Sequence, residues 1–123
     1  MTREEALDSV RDNIENENLV KHMLATEAIM RALARQLGED EEEWALTGLL
    51  HDIDLELTEG DMQMHSRLGA DLVKDMGGSD AMVQAILCHN GAHGIPLETK
   101  LHLTFSIAPV ALGLAGIFAA MRL

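Results

Sequence analysis

Trp44-Ala45-Leu46-Thr47-Gly48-Leu49-Leu50-His51-Asp52-Ile53-Asp54 is the stretch on which the fold turns. Asp40 and Glu43 precede it at the spacing of a capping box, and Trp44, Leu46, Leu49 and Leu50 follow at helical period. The stretch therefore reads as a helix that ends near His51 and delivers an adjacent His and Asp beside further acids. A neutral imidazole nitrogen next to an anionic carboxylate oxygen suits a divalent cation. A His-Asp neighbour also arises by chance in a chain with six histidines, so its meaning depends on the rest of the sequence.

Working outward, the same helical grammar repeats. Thr2 and Glu5 form a first capping box, with Ala6, Leu7, Val10 and Ile14 at helical period behind it. The polar break Asn16-Glu17-Asn18 opens a longer helix whose buried side is Leu19, Met23, Met30, Leu33 and Leu37, and Gly38 stops it. The acidic segment from Asp54 to Asp61, with Gly60 inside it, reads as a loop. His65, Leu68, Leu72, Val73 and Met76 mark the next helix, ended by Gly77-Gly78. Ser79 caps another through Met82, Val83, Ile86 and Leu87 to His89, before an Asn90–Pro96 loop. No stretch alternates with period two. The expectation is an all-α, compact helical bundle of about five to seven helices.

The 123 residues suit one domain, taken as 1–123. A net charge of −12 argues against a nucleic-acid polymer as partner, because phosphate backbones select basic faces. One cysteine, Cys88, allows no internal disulfide, and the start lacks a basic, then apolar, signal pattern; both suit a cytoplasmic protein. Cys88 and His89 are neighbours on a helix, about 100° apart, which makes a poor nucleophile–base pair, so Cys88 reads as a small core residue. The segment 101–123 is atypical: from Leu103 to Met121 it has no charged residue. Its length approaches the roughly 20 residues of a membrane span. Pro109, Gly113 and Gly116 favour instead a buried closing helix, broken near Pro109, with a homodimer contact through the apolar segment as an option.

Chemistry gathers on four histidines near predicted helix ends: His22, His51, His65 and His89. A lone histidine at such a place is most often a hydrogen-bonded residue favouring the helix dipole. Two of these sit where a charge is costly, His22 beside Met23 in an apolar helix and His51 at the end of a leucine run. A metal ion accepts both as neutral ligands, with Asp52 supplying negative charge. There is no His-Glu-x-x-His, no Cys-x-x-Cys and no Gly-rich phosphate loop, which excludes metalloprotease, zinc-ribbon and P-loop readings.

His22, then His51-Asp52 behind Leu49-Leu50, then His65-Ser66-Arg67-Leu68-Gly69-Ala70 and His89-Asn90 with Gly94-Ile95-Pro96, together resemble the HD-domain superfamily of metal-dependent phosphohydrolases. The likeness is to its small bacterial HDIG-type members and covers about residues 4 to 100. It implies His22, His51 and Asp52 as ligands of a first divalent ion (Mn, Fe, Ni, Zn or Mg). Asp52 is then able to bridge to a second ion held by His65 and His89. It also implies hydrolysis of a small phosphorylated metabolite or nucleotide by a metal-activated water. Asp54, with Glu56 and Asp61, are candidates to orient that water or protonate a leaving group, although acidic loops are usually solvated. Lys21, Arg67 and Asn90 are candidates to meet the substrate. The scarcity of other cations near these positions argues against highly phosphorylated substrates. One departure stands out: the family's late Asp ligand falls where this chain has Ala108, and no Asp follows Asp80. That leaves open the alternative of a catalytically degenerate HD domain acting as a metal- or nucleotide-binding or oligomeric module.

Overall fold

The computed structural model describes residues 1–96 and 98–101. The readings made for 102–123, including the break at Pro109, the apolar dimer contact and Ala108, lie outside the described residues. Five α-helices follow in order: α1 (Arg3–Asn13), α2 (Glu17–Leu37), α3 (Glu41–Leu50), α4 (Arg67–Asp75) and α5 (Asp80–His89). A short 3-10 turn, Gly91–His93, completes them, and there is no strand among the described residues. The architecture is all-helical, and no described helix is long and apolar enough to cross a membrane.

The centre of the bundle is α3. Every residue from Trp44 to Leu50 is buried, so this helix has no solvent face, and α1, α2 and α5 all pack on it. Its small residues let α2 come close: a Cβ built at Gly48 would lie 2.9 Å from the Thr26 carbonyl oxygen. The main apolar cluster joins Val10 of α1, Val20 and Met23 of α2, Leu49 and Leu50 of α3, Val73 of α4 and Ile86 of α5. A second, around Met30, Ala34, Trp44 and Ala85, also takes in Leu101. With α3 enclosed on its sides, the residues just past its end, His51 and Asp52, are carried into the interior rather than to the surface.

The caps explain where the helices begin and stop. Thr2 and Glu5 form the full reciprocal box. Gly38 closes α2 in the left-handed region at φ +71°. Asp40 caps α3 through the Glu43 N–H at 3.0 Å, but the Glu43 carboxylate turns away and accepts from the Ser79 hydroxyl. The second box is thus half formed, its other half used to tie α3 to the start of α5. Leu37, expected on the buried side, is the last residue of α2 and is 47% exposed.

One buried charge ties α1 to α2. Glu27 is 4% exposed and accepts a two-pronged bond from Arg3, at 2.7 and 2.9 Å. Arg3 is about half exposed, which tempers the pair's worth. Glu27→Gln is expected to lower stability by about 1–2 kcal/mol, read as a shifted urea midpoint with an unchanged slope.

The largest departure concerns residues 51–66. They form a chain of consecutive turns that folds back onto the core, with hydrogen bonds such as Thr58 N–H to Asp54 O and His65 N–H to Asp61 O. Ile53 and Asp54 are fully buried, while Leu57, Met62 and Met64 face solvent. A loop of acids was expected to be solvated, yet its first acid lies in the interior. His65, expected on α4, sits two residues before it.

Candidate metal centre

Four elements deliver imidazoles to one point. His22 comes from the first half of α2, His51 from the end of α3, His65 from the turns before α4, and His89 from the last residue of α5. Asp52 stands between them. Its Oδ2 lies 3.3 Å from His22 Nε2 and 3.0 Å from His51 Nε2. Its Oδ1 lies 3.4 Å from His65 Nε2 and 3.2 Å from His89 Nε2. Each carboxylate oxygen therefore faces its own pair of ring nitrogens, and the set divides into two half-sites that share Asp52.

The far side of three rings fixes which nitrogen faces the centre. His51 Nδ1 lies 2.7 Å from the Gly48 carbonyl oxygen, and His89 Nδ1 bonds to the Ile86 carbonyl oxygen. A carbonyl only accepts, so both Nδ1 atoms carry hydrogen and both neutral rings present a bare Nε2 lone pair to the centre. His65 Nδ1 is held at 2.6 Å by the Asp54 carboxylate, with the same result. His22 Nε2 also stands 3.1 Å from His51 Nε2, within hydrogen-bond distance, beside the same carboxylate. A divalent cation fits this donor set, since four imidazole nitrogens and one carboxylate converge with no Lys or Arg lining the cleft among the described residues.

Electrostatics agree with the geometry. Burial pushes the Asp52 carboxyl up, but the imidazoles of His22, His51, His65 and His89 outweigh it and hold the group far below the usual carboxylate range. Burial pulls His51 down against the pull of Asp52, so it is neutral and ready to ligate at pH 7. His65 behaves oppositely: hydrogen bonds to Asp52 and then Asp54 raise it from 6.5 to about 9 in the ion-free protein. An ion entering beside His65 must displace that proton. Divalent-ion affinity of the His65–His89 half-site is therefore expected to climb between pH 6.5 and about 9 and level off above. The sign for stability follows from the same shift. The folded form binds the proton more tightly, so this contribution is complete below pH 6.5 and lost as the pH passes about 9. Thermal melts in chelator should fall across that window, and saturating Mn²⁺ should flatten the dependence.

The remaining candidates are scattered. Asn90 lines the cleft but its amide is committed to the backbone: Nδ2 donates to the carbonyls of Met62 and His65, and Oδ1 caps Ala92. Asp54 lies behind His65, with no exposed surface, rather than beside the cleft. Glu56 accepts from the Glu15 N–H, and Asp61 caps Gln63. Lys21 is exposed and does not line the cleft, and Arg67 lines a separate groove between α4 and α5 with Ala70, Asp71, Lys74, Val83 and Leu87. Two residues without a sequence signal do line the cleft, Leu55 and Met62. His93 was also unmarked, and it donates from Nε2 to the His65 carbonyl at 2.7 Å, steadying that ligand's backbone.

An all-helical bundle gathers His22, His51-Asp52, His65 and His89 at one point, in two donor sets that could each hold a metal ion. Residues 19–112 match the HD domain family, and the chain belongs to it. Among curated proteins it is similar to Ribonuclease Y of Oleidesulfovibrio alaskensis, 32% identical over 75 residues, 61% of this chain and 14% of the relative. It is 33% identical over 84 residues to Ribonuclease Y of Aliarcobacter butzleri, covering 68% of this chain and 16% of the relative. With that of Syntrophobacter fumaroxidans the identity is 28% over 97 residues, 79% of this chain and 18% of the relative. The chain thus spans less than a fifth of the length of these relatives. No solved structure matches it significantly.

Proposed function

We propose that this chain is a metal-dependent phosphohydrolase that cleaves a phosphoester of a small phosphorylated metabolite or nucleotide. The observation that carries this reading is Asp52, whose two oxygens each face a separate pair of imidazole nitrogens. His22, His51, Asp52, His65 and His89 would hold divalent ions there, which would supply Lewis-acid charge for phosphoryl oxygens and lower the pKa of water. The protein's part is to hold that charge in place and to shape the approach. The half-sites open into a cleft of about 430 Å³, with Leu55 and Met62 as an apolar wall and Gly91 at its edge. That volume suits a nucleotide-sized molecule. No Lys or Arg lines the cleft among the described residues, so compensation of phosphate charge falls to the ions. This favours substrates with one or few phosphates.

The relatives' name, Ribonuclease Y, supports phosphoester chemistry and the nucleotide end of this range. The net charge of −12 argues against extending it to a long RNA. Ala108 supports the second reading, a silent metal- or nucleotide-binding module, because three protein ligands per ion leave the charge less fully balanced. The test is to purify the protein without chelator, measure its bound metal, and assay it with added Mn²⁺ or Ni²⁺. Substrates should include p-nitrophenyl phosphate, its bis-ester, nucleoside monophosphates and a short RNA. Turnover that chelator abolishes is the expected result. Bound metal with no turnover on any of them, unchanged in Ala108→Asp, would establish the silent module instead.

A further inference from the structure

Asp54 is a carboxylate with no solvent exposure and no contact with the cleft. We propose that Asp54 is a positioning residue whose bond to His65 decides whether the second half-site is able to hold an ion. The proposal rests on the metal-site reading above, but not on turnover.

The chain is built to receive this carboxylate. Oδ2 accepts two backbone N–H groups, from Ser66 and Gly69, each at 2.7 Å, where the first turn of α4 has no partners of its own for them. Ser66 holds φ +74°, a backbone state that side-chain-bearing residues rarely adopt, and its N–H points at Asp54. A Cβ at Gly69 would stand 3.1 Å from Oδ2 and 3.2 Å from Cγ, so glycine lets α4 close on the acid. Oδ1 is left for His65 Nδ1 at 2.6 Å.

A carboxylate carries no hydrogen, so all three partners must donate. His65 then has its ring hydrogen on Nδ1 and offers Nε2, the nitrogen that faces Asp52 Oδ1. An amide of the same shape reverses this. Its carbonyl oxygen goes to the two backbone N–H groups, and its NH₂ faces Nδ1 and donates. The neutral ring must then carry hydrogen on Nε2, where an ion needs a lone pair. Turning the amide over sets NH₂ against two N–H donors, which is worse. His51 Nδ1 and His89 Nδ1 are each held by a backbone carbonyl, His89 also lying 3.3 Å from the Ser66 hydroxyl. Of these three rings, His65 is the one oriented by a carboxylate side chain.

The experiment compares the full-length chain with Asp54→Asn, His65→Ala and the double variant, titrating Mn²⁺ and following bound ions by calorimetry and EPR. Nitrogen NMR of Zn²⁺-loaded wild type and Asp54→Asn reports which ring atom of His65 carries hydrogen. Expected is retention of the first ion in Asp54→Asn, with the second bound about 10–100-fold more weakly. The His65 hydrogen should move from Nδ1 to Nε2, and the double variant should lose no more than His65→Ala. Wild-type affinity for the second ion in Asp54→Asn, or additive losses in the double variant, would overturn the proposal. So would a His65 hydrogen on Nε2 in wild type, a result that stands even if Asp54→Asn does not fold. Failure of the phosphohydrolase reading would look different: both ions bound, and no hydrolysis.

Discussion

Asp52→Ala is expected to abolish high-affinity ion binding at both half-sites, where loss of any single histidine disables one. Asp52 supplies the only carboxylate oxygens that the described residues place at the centre, one to His22 and His51 and the other to His65 and His89. Losing it removes a ligand and the compensating negative charge from both sets at once. Loss of an outer partner to a ligand costs about 10–100-fold in affinity, so loss of a shared ligand should exceed about 100-fold for each ion. If the phosphohydrolase proposal holds, hydrolysis drops to background with it. Calorimetry with Mn²⁺, alongside circular dichroism to confirm the helices, checks the prediction; His22→Ala and His89→Ala serve as controls that each spare the opposite half-site.

Gly48→Ala carries the largest expected effect on stability. In an exposed helix the change would gain about 1 kcal/mol. Here the new Cβ would stand 2.9 Å from the Thr26 carbonyl oxygen and 3.0 Å from its carbon and from Met30 Cγ. Met30 Cγ is part of a flexible side chain, but the Thr26 backbone moves only if α2 moves. Separating α2 from α3 disturbs the most extensive helix pairing in the bundle, and such overpacking costs about 1–3 kcal/mol net. The effect reaches the centre as well, because His22 rides on α2 and the Gly48 carbonyl orients His51. Urea denaturation of the ion-free protein should show the loss, and ion affinity at His22–His51–Asp52 should weaken in parallel.

These contacts show why some features were legible in the sequence and others were not. Helix starts and stops rest on local hydrogen bonds, so Thr2 with Glu5, Ser79 and Gly38 announced them correctly. The period of Trp44, Leu46, Leu49 and Leu50 marked a helix ending near His51, but its burial on every side is a tertiary fact that the period alone does not carry. Convergence of His22, His65 and His89 on Asp52 was approachable only through their joint pattern, since each histidine alone has ordinary explanations. Asp54 escaped because its partners are non-local: two N–H groups of a helix that begins at Arg67 and a ring eleven positions away. No periodicity records such a bond, and an acidic segment more often lies in water. Leu37 continues the helical period to the last residue of α2, yet it is 47% exposed. Lys21 and Arg67 are near the ligands in sequence but lie elsewhere: one step along α2 turns Lys21 about 100° from His22, and Arg67 opens α4, where it lines the groove toward α5.

The most direct test of the account is whether one carboxylate joins two ions. EPR of the wild-type chain titrated with Mn²⁺ under anaerobic conditions reports this. The structure leads us to expect an exchange-coupled pair at full loading, replaced by a single uncoupled ion in His89→Ala. Spectra of isolated Mn²⁺ at every loading, or no tightly bound Mn²⁺ at all, would contradict a centre bridged by Asp52.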